Sequence, residues 1–123
     1  MQKFRIALPT KTHAGLDDIV SEVFGKAKTF TIVDVEDKHV NTVTVIDNPA
    51  ASYPHGAGPI AIKTLVDLKV EIVIASEFGL GASTLLEHHN VKTIVVQPNN
   101  KVVDTLKAVL QEGGKVLIDS NVT

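Results

Sequence analysis

The hydrophobic pattern of this chain changes character near Asp47, and that change limits the folds open to it. Before this point the sequence predicts one short strand, Phe4–Leu8, and a hairpin formed by Thr29–Val35 and Val40–Ile46. After it, short apolar runs alternate with amphipathic segments. A strand and a hairpin followed by alternating strands and helices predict an α/β fold, with one mixed, largely parallel sheet covered by helices on both faces.

The remaining predicted elements follow from apolar spacing and from Gly and Pro positions. In the first half, Pro9 is expected to end the first strand, and Leu16–Phe24 is predicted as a short helix closed by Gly25. The second half is predicted to contain three helices that alternate with three strands. The helices are Pro59, as the first residue, to about Leu68, Ala82–His89 and Val102–Glu112. The strands are Glu71–Ala75, Thr93–Val96 and a short one at Lys115–Ile118.

Length and charge narrow the class of protein. The 123 residues are 44% hydrophobic and 21% charged, so we expect a single folded domain over residues 1–123. Twelve basic and 14 acidic residues give a net charge of -2, which argues against a nucleic-acid partner. The absence of cysteine excludes disulfides, cysteine-ligated zinc, a self-ligated iron–sulfur cluster and a cysteine nucleophile.

Sequence composition also indicates where in the cell the protein is expected. No run approaches about 18 apolar residues, so no membrane span is expected. Met1–Arg5 leads directly into a strand pattern without the apolar region of a signal peptide. A cytoplasmic protein is the expectation, and the absence of cysteine is compatible with it.

Two glycine-rich loops are the strongest candidates for a binding site. The first glycine loop is Tyr53–Pro59 and the second glycine loop is Ser76–Ser83; each is expected to leave the carboxyl end of a strand and to open a helix. Glycines let a ligand approach the backbone, and free N–H groups at a helix start favour an anion. We therefore expect a small anionic ligand at Gly56, Gly58, Gly79 and Gly81, with His55 as a metal ligand or hydrogen-bond donor. The alternative is that these glycines serve only tight turns and close packing.

Other histidines are weaker candidates. His13 follows the first predicted strand, so it could reach the same edge of the sheet as His55, or it could be a surface residue without a role. His88 and His89 point about 100° apart on a helix and suit its C-terminus, so a structural role is predicted for both. His39 is expected to be solvated in the hairpin turn.

The sequence contains few of the motifs that are typical of enzymes. Gly79-Leu80-Gly81 lacks the third glycine of a dinucleotide-binding turn, and no Gly-x-Ser-x-Gly elbow surrounds any serine. A metal-dependent nuclease would need clustered carboxylates, for which Asp34 and Asp47 are the candidates. Glu77 could orient a histidine, or it could be simply exposed.

Several short motifs occur in an order that resembles a known family. They are Ser21-Glu-Val-Phe-Gly-Lys-Ala27, Phe30-Thr-Ile-Val-Asp34, Asn48-Pro-Ala50, His55-Gly-Ala-Gly-Pro59, Ile72-Val-Ile-Ala75 and Phe78-Gly-Leu-Gly-Ala82. Together they resemble the dinitrogenase iron–molybdenum cofactor biosynthesis domain family, which includes nitrogenase cofactor carriers and small stand-alone proteins. The resemblance extends from Phe4 to about Leu110.

The resemblance implies a ribonuclease H-like, three-layer α/β/α fold with a five-stranded mixed sheet and one antiparallel strand. It implies that the protein is not an enzyme but binds or carries an iron–sulfur or iron–molybdenum type cofactor, with His55 as the metal ligand and a protein partner in cofactor assembly. It also makes the Leu16–Phe24 helix less expected, because this stretch is often a loop in the family. Cofactor-carrying members commonly have histidine where this chain has Val23, which cannot ligate a metal. Stand-alone members need not act with nitrogenase.

Two other functions stay open at this stage. Val23 at the usual histidine position would suit a protein-interaction or regulatory module that uses the same fold without a metal cofactor. A nuclease dependent on Asp34 or Asp47 is the remaining alternative. The hairpin could also leave a sheet edge able to pair between chains, so the oligomeric state is open.

Overall fold

A single five-stranded sheet forms the centre of the molecule. The computed structural model describes residues 2–79 and 81–111. Its strands are β1 (Lys3–Thr10), β2 (Thr29–Glu36), β3 (His39–Asp47), β4 (Ile72–Ala75) and β5 (Lys92–Val95). They lie side by side in the order β3-β2-β1-β4-β5. β2 is antiparallel to β1 and β3, while β4 is parallel to β1 and β5, so the mixed sheet with one antiparallel strand is confirmed.

Three helices cover the sheet on its two faces. They are α1 (Ala57–Asp67), α2 (Ala82–His88) and α3 (Val102–Gln111). α1 and α2 pack with one buried cluster that includes Phe30, Ile62 and Leu86, and α3 packs with the other through Val102 and Leu106. Each face of the sheet is therefore buried under a helical layer, which confirms the three-layer α/β/α architecture.

The first strand is longer than predicted because Pro9 does not end it. Pairing of β1 with β4 stops at Ala7, so no ladder hydrogen bond is required from the missing N–H of Pro9. On its other side Pro9 still pairs with Phe30, and its carbonyl accepts a hydrogen bond from the Ser21 N–H at 2.8 Å.

The predicted helix over Leu16–Phe24 is wrong. The structure has a short 3₁₀ turn at Gly15–Asp17, followed by isolated bridges from Ile19 to Lys101 and from Val20 to Thr10. The N–H of Val20 donates to the Asn100 carbonyl at 2.9 Å, so hydrogen bonds to distant backbone replace those of a helix. The apolar residues of this stretch do not share one face: Val20 is fully buried and Val23 is 52% exposed.

The start of one helix also differs from its prediction. α1 begins at Ala57 rather than Pro59, so Pro59 is its third residue, where the missing N–H still lies in the first turn. The predicted end of α3 at Glu112 and the predicted strand Lys115–Ile118 lie outside the described residues. α1, with 11 residues, is the longest helix described, and none in residues 2–79 and 81–111 is long and apolar enough to cross a membrane.

Candidate functional site

The sheet topology brings both glycine loops to one edge. β1, β3, β4 and β5 run in the same direction, so their carboxyl ends form a common edge, here called the carboxyl edge. The first glycine loop follows β3, the second follows β4, and the loop that carries His13 follows β1. β2 runs the opposite way, so Ser21–Lys28, the segment before it, also lies at this edge. Ligands of α/β sheets commonly bind at such an edge.

Ser21–Lys28, here called the bridging segment, contacts both glycine loops. A Cβ placed on Gly25 would lie 3.1 Å from the Cα and from the N of Gly58 in the first loop. The ring centroids of Phe24 and Phe78, in the second loop, are 5.5 Å apart. The Ser76 hydroxyl lies 3.3 Å from the carbonyl oxygens of Ser21 and of Glu22 and can donate to either. The two loops are therefore held together through this segment.

Asn48 fixes the turn at the centre of the bridging segment. Its buried Nδ2 donates to the carbonyls of Gly25, at 2.9 Å, and of Ala27, at 2.8 Å, while its Oδ1 accepts from the Ala50 N–H at 3.0 Å. Asn48 thus connects the chain after β3 to the turn that packs on α1. Sequence reasoning used Asn48 only as part of a family motif; an Asn-Pro pair directly after a strand was the signal of a side-chain-stabilised turn.

A shallow cavity lies between the bridging segment and the second glycine loop. Its volume is about 220 Å³, and it is lined by Glu22, Val23, Phe24, Gly25, Lys26, Glu77 and Gly79. Its wall combines backbone, two carboxylates, one ammonium group and the half-exposed side chain of Val23. It is large enough for a small inorganic ion or a part of a cluster, but not for a nucleotide.

The four glycines of the loops fall into two pairs. Gly56 and Gly81 have φ of 74° and 84°, so their conformation itself favours glycine. Gly58 and Gly79 do not have positive φ. Apart from their chain neighbours and the backbone of the same helix, no heavy atom of the described residues lies within 4 Å of the position that a Cβ would take on either. Neither turn geometry nor packing within the described residues requires glycine at these two positions.

The start of α1 offers unused hydrogen-bond donors. No side chain caps the helix, and among the described residues the N–H groups of Ala57 and Gly58 have no acceptor. In an 11-residue helix such groups carry the positive end of the helix dipole. α2 has only seven residues, so we do not count the dipole of this helix among the features of the candidate site. The second glycine loop is considered for the shape of its backbone.

Comparison with known proteins identifies the family of the chain. The sequence model of the family described as "Dinitrogenase iron-molybdenum cofactor" matches residues 2–112. The chain belongs to this family. An uncharacterized protein from Methanocaldococcus jannaschii is 24% identical over 109 residues, which are 89% of this chain and 86% of that protein.

Solved structures of similar proteins have the same fold. The apo form of the orange protein from Desulfovibrio gigas has a TM-score of 0.80 and 25% identity, over 88% of each chain. A proposed NifB protein from Thermotoga, solved by NMR, has a TM-score of 0.71 and 31% identity, over 89% of each chain. These matches show the dinitrogenase cofactor family fold over nearly the whole chain.

The candidate histidines are not gathered into a metal site. The His13 Nε2 lies 2.6 Å from Asp47 Oδ1, where both side chains are exposed. The exposed His55 ring makes no hydrogen bond or ion pair within residues 2–79 and 81–111. In the same part of the chain, no three His, Asp or Glu side chains are grouped closely enough to hold a metal ion. His55 as a metal ligand and His13 as its companion stay predictions.

Buried hydrogen bonds shape the loop that carries His13. The Thr29 hydroxyl donates to the Thr12 carbonyl at 2.6 Å, and Asp18 Oδ2 accepts from the N–H and the hydroxyl of Thr12, each at 2.9 Å. Burial by itself would raise the pKa of Asp18, but hydrogen bonds from the N–H groups of Ile19 and Thr12 and from the Thr12 hydroxyl lower it below its ordinary value. Asp18 is therefore an ionised anchor of the loop rather than a titrating group of the site.

The two carboxylates of the nuclease hypothesis lie at opposite ends of the hairpin. Asp47 pairs with Thr29 at the carboxyl edge, whereas Asp34 is five residues further along β2, roughly 17 Å away. Asp34 binds Arg5 through two hydrogen bonds, of 2.8 and 3.2 Å, and these bonds hold the pKa of Asp34 below its ordinary value. The clustered carboxylates that metal-assisted cleavage needs are not formed by this pair.

A larger hollow at the amino edge is less suited to a ligand. It measures about 400 Å³, and its charged lining residues are Lys3, Arg5, Asp34, Glu36, Lys69 and Glu71. Arg5 is bound to Asp34 and to the Leu68 carbonyl, and Lys3 lies 3.7 Å from Glu36. Because most of these charges already have partners, we place the candidate site at the carboxyl edge.

Proposed function

We propose that this protein binds and carries, without transforming it, a small anionic metal cofactor of the iron–sulfur or iron–molybdenum type at the carboxyl edge. The observation that carries the proposal is the pair Gly58 and Gly79. Both lack side chains where the surrounding protein leaves space for one, and they stand in the two loops joined by the bridging segment. Family membership supports a cofactor role, and the two glycines indicate where a ligand approaches the backbone.

The residues present suit a ligand that brings its own coordination shell. The chain has no cysteine, and of the two candidate histidines at this edge His13 contacts Asp47, while His55 has no hydrogen bond or ion pair within the described residues. A cluster or thiometallate with all its sulfur ligands in place needs hydrogen bonds and charge compensation from the protein rather than several new metal bonds. The N–H groups of Ala57 and Gly58 supply such donors.

Titration under anaerobic conditions tests the proposal. The probe is tetrathiomolybdate, a soluble anion whose molybdenum is fully coordinated by sulfur, followed by its absorption spectrum. We expect saturable binding by the wild type and about tenfold weaker binding by His55→Ala, because a hydrogen bond to a charged ligand is lost. His39→Ala, exposed at the start of β3 at the opposite edge, is the control and is expected to bind like the wild type.

Each outcome has a distinct meaning. Absence of saturable binding by the wild type, to this probe and to an iron–molybdenum–sulfur cluster, would overturn the proposed function. Binding that is indistinguishable between the wild type and His55→Ala would remove His55 from the site.

A second candidate function is a protein-interaction module. It is favoured by Val23 and Tyr53, two exposed apolar side chains at 52% and 45% exposure, in the bridging segment and the first glycine loop. Anaerobic capture from native extract distinguishes the two functions. A stoichiometric protein partner without metal in the isolated complex would favour the interaction module.

A further inference from the structure

Lys26 occupies a special position at the proposed site. It lies in the bridging segment, lines the cavity beside the second glycine loop, and extends its Nζ to 3.4 Å from the Pro54 carbonyl in the first glycine loop. The side chain is exposed, and its contact with Pro54 is long for a hydrogen bond from an ammonium group. This contact is weak enough to be exchanged for a stronger partner.

The charges around the cavity make Lys26 important for the binding of an anion. Within residues 2–79 and 81–111, the ionisable lining residues are Glu22, Lys26 and Glu77, so one cation stands against two carboxylates. Glu22 Oε1 accepts a hydrogen bond of 3.3 Å from Asn99, whose Oδ1 accepts one of 3.1 Å from Lys11. Glu22 is therefore drawn toward a separate polar network, while Glu77 is exposed and has no hydrogen bond among the described residues.

Resting on the proposed function, we propose that Lys26 determines the charge of the ligand that the site accepts. On binding, its ammonium group leaves the Pro54 carbonyl and pairs with the anion, which lies against the backbone of the glycine loops. Without Lys26, the anion would face two carboxylates and no neutralising side chain. By offsetting one of the two carboxylates, Lys26 then lets the site hold an anion that the backbone of the glycine loops alone would bind more weakly.

The test compares lysines two residues apart. Lys26→Gln and Lys28→Gln remove the same charge from the same segment, and Lys28 is exposed but does not line the cavity. With tetrathiomolybdate at low ionic strength, we expect Lys26→Gln to bind about five- to tenfold more weakly than the wild type, and Lys28→Gln to remain within about twofold. The Lys26 effect should shrink as salt rises from about 0.01 to 0.15 M, because the Debye length falls from about 30 to 8 Å.

A variant that removes a negative charge instead of a positive one gives an independent test. Glu77→Gln removes a carboxylate from the same cavity and should tighten binding about two- to fivefold. All three positions are exposed, so thermal unfolding curves close to that of the wild type should show that the variants fold.

The outcomes separate this proposal from the proposed function. Equal affinities of Lys26→Gln and Lys28→Gln, whether both reduced or both unchanged, would overturn the role of Lys26 while wild-type binding preserves the carrier function. Weaker binding by Glu77→Gln would also contradict it. A wild type that binds neither the probe nor an iron–molybdenum–sulfur cluster would overturn the carrier function, and the Lys26 proposal with it.

Discussion

At the scale of single residues, two buried polar side chains hold the loops of the candidate site in place. Asn48 connects the chain after β3 to the bridging segment, and Asp18 binds the backbone of the loop that carries His13. Both have their hydrogen-bonding atoms satisfied within the protein, which makes their removal costly. Such residues order the loops of the candidate site.

Asp18 gives a prediction for the dependence of stability on pH. Because its pKa in the folded protein lies below its ordinary value of 3.8, the unfolded chain takes up the proton first as the pH falls. The stabilisation by the ionised carboxylate is therefore present above about pH 4 and is lost as the pH falls through the folded pKa. At pH 7 we expect Asp18→Asn to lower the free energy of unfolding by about 1 to 3 kcal/mol.

Urea unfolding of the wild type and of Asp18→Asn at pH 7, 5 and 3.5 measures this difference. The effect of Asp34, whose pKa is also lowered, is common to both proteins and cancels. Asp17→Asn, at the exposed neighbouring position, should change stability by less than about 0.5 kcal/mol. A difference between wild type and Asp18→Asn that stays the same at pH 7 and 3.5 would show that the charge of Asp18 is not what stabilises the loop.

At the scale of elements, the strands and helices were largely predictable and the segments between them were not. β2 and β3 alternate apolar and polar residues, and β4 is a short apolar run, so the pattern within each element was sufficient. The stretch Leu16–Phe24 was predicted wrongly because its backbone is fixed by Asn100 and Pro9, which are distant in the sequence. Local spacing contains no information about such partners.

The candidate site was also predictable only where it depends on local sequence pattern and not on contacts between distant residues. Glycine-rich turns at Gly56–Gly58 and Gly79–Gly81 were visible as a pattern, and sheet topology places them at one edge as expected. The sequence pointed to the bridging segment only through the family motif Ser21–Ala27 and the missing histidine at Val23, because its contacts with Gly58 and Phe78 exist only in the folded chain. Lys26 appeared in that motif without a role of its own.

Packing of the bridging segment on α1 gives a prediction about Gly25. Its φ is not positive, so alanine can adopt the backbone conformation, but the added Cβ would lie 3.1 Å from backbone atoms of Gly58. We expect Gly25→Ala to lower the free energy of unfolding by about 1 to 3 kcal/mol, because backbone cannot move aside as a flexible side chain does. Chemical denaturation measures the change.

Gly79→Ala is the matched control, since nothing lies within 4 Å of its Cβ position. It should change stability by less than about 0.5 kcal/mol. If Gly25→Ala is as stable as Gly79→Ala, the bridging segment is not packed tightly on α1, and the described connection between the loops is wrong.

At the scale of the whole molecule, the two edges of the sheet differ in their interactions. Ion pairs such as Arg5–Asp34 lie toward the amino edge, where Arg5 also binds the last turn of α1. The carboxyl edge instead exposes glycine backbone, unused N–H groups and a shallow cavity. The three-layer architecture thus provides a stable frame, and the loops at one edge form the proposed binding surface.

The most direct test of the central claim is a paired measurement of stability and tetrathiomolybdate affinity for Gly58→Ala. Alanine is the better helix former, and no atom lies within 4 Å of its Cβ position, so the free energy of unfolding should rise by about 0.5 to 1 kcal/mol. The new methyl group would occupy the space in which the anion approaches the start of α1, so affinity should fall at least about tenfold. A variant that is more stable and binds the anion as tightly as the wild type would contradict the account, because the glycines would then not form the binding surface.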